Sequence, residues 1–90
     1  MLKVRYSTKF KKDYKVIYKR GYDIKLFQEV VSMLCEEMQL PIKYKDHTLI
    51  GNWAEYRECH ITADWLLVYK VESDILVLTL TRTGSHSDLF

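Results

Sequence analysis

Three strand-like runs in the second half of the chain leave little choice of architecture. EYRECHI (55–61), WLLVYKV (65–71) and ILVLTLTR (75–82) are rich in β-branched and aromatic residues, and only Thr62 to Asp64 and Glu72 to Asp74 separate them. Breaks that short join neighbouring strands antiparallel, because a parallel crossover needs a dozen or more residues. A three-stranded meander with an apolar face must bury that face under something else.

The first half supplies the cover. LKVRY (2–6) alternates like a short strand with one face buried, and Ser7 or Thr8 can cap a helix after it. Phe10, Tyr14 and Ile17 then recur at helical spacing, with Lys9, Lys11, Lys12, Lys15 and Lys19 mainly off that stripe. Gly21 ends this helix and Asp23 caps a second, whose core face is Phe27, Val30, Val31, Leu34 and Met38, with Pro41 preventing continuation much beyond Gln39. With LKVRY at an edge or in the middle of the sheet, the order is β-α-α-β-β-β: an α+β domain with a helical hairpin packed on a small antiparallel sheet. Ninety residues, 48% of them apolar, suffice for one such domain over 1–90 and leave no room for a second. The long irregular stretch is 40–54, LPIKYKDHTLIGNWA, and loops of that length are often functional.

Cys35 and Cys59 are far apart and form no C-x-x-C pair, which reads as two free thiols in a reducing cytoplasm. Nothing approaches the roughly 18 consecutive apolar residues of a membrane span, so no membrane partner is expected. Net charge is only +2, but residues 1–20 hold eight Lys or Arg against the single acid Asp13, a local positive field suited to a polyanion or an acidic protein.

The three histidines are His47 in the long loop, His60 near the end of a strand and His86 in the tail. In a meander the first and third strands run the same way, so the ends carrying His60 and Arg82 meet at one edge of the sheet, beside the turn of Asp64 and Trp65. Histidine spacings of 13 and 26 residues match no compact zinc pattern, and no glycine-rich loop or nucleophile elbow is present, so neither a metal nor another cofactor is expected. Metal-free RNA cleavage suits the residue types better. A 2′-hydroxyl must lose a proton and a 5′-oxygen must gain one, and imidazole or carboxylate performs each transfer for about 10²- to 10⁴-fold. Arg82 could hold the phosphate, while Trp65 and Phe90 could stack on splayed bases.

The blocks YKDHTLIGNW (44–53), YRECH (56–60), DWLLVY (64–69) and RTGSH (82–86) resemble the YafQ branch of the RelE/ParE toxin superfamily, in the same order and across essentially the whole chain. The resemblance implies a bacterial type II toxin: an endoribonuclease that cuts messenger RNA in the ribosomal A site, contacts ribosomal RNA, is silenced by a cognate acidic antitoxin and reaches operator DNA only through that antitoxin. Its active-site positions fall on His47, His60, Asp64, Trp65, Arg82, His86 and Phe90. His86 would be the general acid, Asp64 or His60 the base, His47 an assistant and Arg82 the phosphate ligand; Trp65, Phe90, Lys45 and Trp53 would contact RNA. Two alternatives stay open: a ParE-like toxin that binds DNA gyrase without cutting RNA, and a catalytically dead co-repressor.

Overall fold

The computed structural model describes all residues, 1–90. Its elements are β1 (Lys3–Tyr6), α1 (Thr8–Lys19), α2 (Ile24–Cys35), β2 (His47–Thr48), β3 (Arg57–Thr62), β4 (Trp65–Glu72), β5 (Val77–Gly84) and α3 (His86–Leu89), with single 3-10 turns at Ile42–Tyr44 and Gly51–Trp53. The five strands form one sheet in the order β1-β5-β4-β3-β2.

The meander of β3, β4 and β5 is antiparallel, as its short turns require. The sheet as a whole is mixed, because β1 runs parallel to β5, from Lys3 opposite Val77 to Tyr6 opposite Leu80. Short-turn reasoning constrains only strands joined by short turns, whereas β1 and β5 lie at opposite ends of the chain. The stretch 40–54 is also less irregular than expected: His47 and Thr48 pair with Glu58 and Arg57 and extend the sheet by one short strand.

Both long helices start and stop for identifiable reasons. The Ser7 hydroxyl accepts the Phe10 N–H at 2.9 Å and donates to the Thr81 carbonyl at 2.7 Å, capping α1 and fastening it to β5. At the other end Tyr22 N–H returns to the Ile17 carbonyl and Gly21 N–H to Tyr18, with Gly21 at φ +81°, a left-handed close that glycine adopts without strain. Helix α2 closes by the same pair of bonds, Met38 N–H to Met33 and Glu37 N–H to Leu34, but with Glu37 left-handed at φ 58°. It therefore stops at Cys35, and Met38 is exposed rather than part of the core face.

One face of the sheet carries the core. Cys59 and Ile61 of β3, Trp65, Leu67 and Tyr69 of β4, and Leu78 and Leu80 of β5 pack with Phe10 and Ile17 of α1 and Phe27, Val30 and Leu34 of α2. Leu66 and Val68, alternating with those β4 residues, are equally buried yet stand outside that cluster, on the opposite face. No helix is long and apolar enough to cross a membrane.

Candidate active site

The face away from the helices is where the chemistry gathers. Cross-strand register sets His47, Glu58, Val68 and Arg82 in one row over β2, β3, β4 and β5, and His60, Leu66 and Gly84 in the next row. Paired residues share a face, so both rows present their side chains on the side opposite the core. Two bulges adjust this alignment. Between His60 and Thr62 the register slips by one, and between Leu80 and Arg82 it slips again. The second slip matters most: in a regular strand Leu80 and Arg82 would share a face, but here Leu80 aligns with Tyr69 and Arg82 with Val68.

Glu58 is the centre of the His47 and His60 group. Its Oε1 lies 3.4 Å from His47 Nε2 and 4.0 Å from His60 Nε2, and the two imidazole centroids are 6.4 Å apart. Both rings turn Nε2 toward the carboxylate because Nδ1 is used elsewhere: on the Lys45 carbonyl at 2.7 Å for His47, on the Ala63 carbonyl at 3.4 Å for His60. Nδ1 donating to a carbonyl leaves Nε2 of a neutral ring as an acceptor, so the edge shared with Glu58 needs a proton to be attractive. Glu58 is only 7% exposed, and its Oε2 is buried with no hydrogen-bond partner. An orphaned buried carboxylate oxygen is costly and marks a place where folding was not the only requirement.

The tail forms the second part. At Gly84, with φ +152°, a Cβ would lie 2.9 Å from Asp88 Oδ2, so the turn into α3 needs glycine there. The α3 turn is closed by a capping box: Asp88 N–H donates to the Ser85 hydroxyl and Ser85 N–H to the Asp88 carboxylate at 2.8 Å. His86 is exposed, its ring 5.5 Å from that of Phe90, which is 59% exposed. The Asp64 carboxylate accepts the His86 backbone N–H at 3.3 Å, joining the tail to the β3–β4 turn.

Residues 2–90 match the family described as "Bacterial toxin of type II toxin-antitoxin system, YafQ". The chain belongs to the YafQ toxin family. The mRNA interferase toxin YafQ of Escherichia coli strain K12 is 38% identical over 88 residues, covering 97% of this chain and 94% of that protein. Among solved structures, the metal-bound toxin from Helicobacter pylori has a TM-score of 0.94 at 48% identity, with both chains covered completely. The YafQ chain of the E. coli DinJ-YafQ complex has a TM-score of 0.91 at 36% identity, covering 100% of this chain and 99% of that one.

In this YafQ-family chain, the residues expected at the site are not all placed for the roles expected of them. His47 and His60 are together, and His86 stands across the β3–β4 turn from His60. Arg82 lies on the same sheet face, but its Nε and Nη2 bond the Asp13 carboxylate at 2.7 and 3.1 Å, and that bond is the main reason its pKa is raised. Asp13 also accepts the Thr83 N–H, capping the edge of β5 beyond the end of β1. Asp64 is exposed and holds backbone. Trp65 was expected on RNA and is instead 3% exposed in the core, its indole N–H bonded to Thr83 Oγ1 at 2.9 Å and its ring edge-on to Tyr22. A ring covered on both sides offers no face to a base, which corrects that expectation. Lys45 is exposed on a left-handed backbone and Trp53 is 37% exposed, its ring beside Tyr56. Burial pushes the Cys59 thiol up to about 12, so it is a core side chain and no nucleophile.

Sequence reasoning missed Glu58 and Asp13. A signal for Glu58 was present: positions 58 and 60 of one strand share a face by alternation, so a glutamate two residues before a site histidine belongs with it. Asp13 carried none, since its partner is 69 residues away.

Proposed function

We propose that this toxin is an endoribonuclease that cuts messenger RNA in the ribosomal A site by attack of the 2′-hydroxyl on the adjacent phosphorus, with proton transfers carried by side chains and no metal. The single observation that carries this reading is the buried Glu58 carboxylate between the Nε2 atoms of His47 and His60. His60 Nε2 takes the 2′-hydroxyl proton, and Glu58 stabilises the imidazolium that forms, with His47 sharing that charge. His86, exposed in the tail, returns a proton to the leaving 5′-oxygen. Asp64 is thereby a residue that orients His86 rather than the base. Charge developing on the phosphoryl oxygens faces Arg82, whose Nη1 is left over from the Asp13 pair, and Lys45. Phe90 and Trp53 are exposed enough to stack on bases; Trp65 is not.

The E. coli DinJ-YafQ complex supports an antitoxin partner for this chain as well. An acidic antitoxin would find complementary charge in the exposed lysines of α1, which the same reading places against ribosomal RNA during cleavage. Operator DNA is reached only through that antitoxin. A metal has been found on the H. pylori relative. Each step above is assigned to a side chain, and cleavage in excess EDTA tests that assignment.

The test is cleavage of a reporter messenger RNA on translating ribosomes, with 5′ ends mapped, for the parent, His60→Gln and His86→Ala. Both variants are expected to lose cleavage and growth arrest, and parent cleavage to persist in excess EDTA. Growth arrest that survives His86→Ala without new 5′ ends would favour a gyrase-binding toxin, and no new ends from the parent would mean a dead enzyme.

A further inference from the structure

The tail is gripped by α1 at two points of opposite sign. Asp13 holds Arg82 and the Thr83 N–H, where β5 ends. Seven residues on, Arg20 holds Asp88, with Nη1 on Oδ2 at 2.6 Å and Nη2 on Oδ1 at 3.1 Å. Seven residues are two helical turns, so the acid and the base project from one side of α1. A cleft of about 210 Å³ lies between them, with Val16 and Ile17 on its α1 side and Thr83 on the β5 side.

A four-residue helix has almost no stability of its own, because nucleation costs more than one turn of bonds returns. What orders α3 is what it touches. Its capping box is internal, and the Asp64 contact reaches one backbone N–H at its start. The Arg20 fork links the other end of α3 to a long helix. Asp88 has few alternatives: its Oδ2 already takes the Ser85 N–H, and Gly84 is packed against it closely enough to forbid a Cβ. The Arg20 guanidinium holds the Asp88 carboxyl well below the usual carboxylate range, so the pair is ionic wherever the protein is folded near neutral pH.

We propose that Arg20 and Asp88 are positioning residues for the cleavage reaction: the fork fixes the pitch of α3, and so the direction in which His86 presents its imidazole. The proposal rests on the reading of His86 as the general acid. Exposed ion pairs add little to global stability, so its value lies in geometry. Only Ser87 separates Asp88 from His86 within a single turn, and any roll of α3 about its Ser85 root swings the imidazole directly.

Arg20→Gln, Asp88→Asn and the double variant test it. Asparagine keeps an oxygen for the Ser85 N–H and removes only the charge. Each single variant is expected to lower the saturating single-turnover rate on translating ribosomes about 10-fold, since small misplacements of a reacting group cost that much or more. The toxin concentration at half-saturation should stay within about twofold, and the double variant should be no slower than the slower single, within about twofold, because both remove one interaction. Arg20→Lys, which keeps charge but not the fork, should fall between. Amide hydrogen exchange at Ser87 to Phe90 in the free protein should quicken while the sheet stays protected. Parent-like rates with α3 amides protected as in the parent, or losses that multiply in the double variant, would overturn the clamp. Loosened α3 amides with an unchanged rate would show a fork that orders α3 without positioning the imidazole and would overturn the proposal, while His86→Ala tests the role of His86 separately.

Discussion

Two carboxylates lie at the β2–β3 edge, Asp46 just before β2 and Glu58 within β3, and their surroundings could hardly differ more. Asp46 is filled: Arg57 donates to it through Nε at 3.3 Å and Nη2 at 3.0 Å, and the Tyr69 hydroxyl at 2.5 Å. Glu58, next to Arg57 in sequence, keeps one oxygen buried without a partner and the other between two imidazoles at 3.4 and 4.0 Å. Asp46 precedes His47 and Glu58 pairs with it, so both carboxylates serve the same histidine. The first anchors the loop that carries it, using donors that stay charged or, for Tyr69, a phenol pushed further up mainly by burial. The second is left unfinished, with room for the charge that an imidazolium at His47 or His60 would bring.

The contrast can be broken from either side. The largest effect should come from removing an imidazole: His60→Gln or His86→Ala is expected to lower the cleavage rate about 10²- to 10⁴-fold. His86 is exposed, and surface substitutions of that kind stay within about 0.5 kcal/mol, so the melting curve of His86→Ala measured beside the rate should hardly move. Next is Asp46→Ala, which strands the Tyr69 hydroxyl and the Arg57 guanidinium. Urea denaturation should show a loss of about 2 kcal/mol, a figure kept low because Arg57 is more than one-third exposed. An undiminished midpoint would mean that the loop anchors itself.

Glu58→Gln sharpens the comparison. It keeps the shape and removes the charge, so cleavage should fall about 10-fold or more while stability holds or rises by about 1 kcal/mol, because a buried charge is gone even though a polar atom stays unpartnered. A marked loss of stability would show that Glu58 is as structural as Asp46. The smallest effect concerns pH. Asp88 is held below the usual carboxylate range chiefly by Arg20, so its share of stability is complete above the unfolded carboxylate value of about 4 and is lost as pH falls through the lower folded value. Protection of the α3 amides should therefore persist on acidification to about pH 4 and fade only below it, and Asp88→Asn should abolish that dependence.

Much of this was legible in the chain. The meander follows from two breaks of three residues, α1 from its apolar spacing and its close at Gly21, and the fold class from what such a sheet must be covered by. His47, His60 and His86 were expected around one site with Arg82; the structure sets the His47 and His60 rings 6.4 Å apart, while Arg82 bonds Asp13. Other features had no local signal. The end of α2 at Cys35 depends on Glu37 accepting a left-handed backbone, which no propensity favours. Trp65 reads as an aromatic beside a site turn, and only the position of Tyr22 and Thr83 shows it enclosed.

By itself, the order of residues determined local period and local turns, and therefore which segments are helix or strand and which side chains alternate together, because those depend on neighbours a few positions away. Tertiary structure alone decided the direction of β1 beside β5, the slip that sends Leu80 and Arg82 to opposite faces, and the grip of α1 on the tail. The first and the last of these join atoms about 70 positions apart and the slip is set by β4 across the strand, and such pairings are chosen by how a whole sheet twists, packs and satisfies its edge, which no short window of sequence contains.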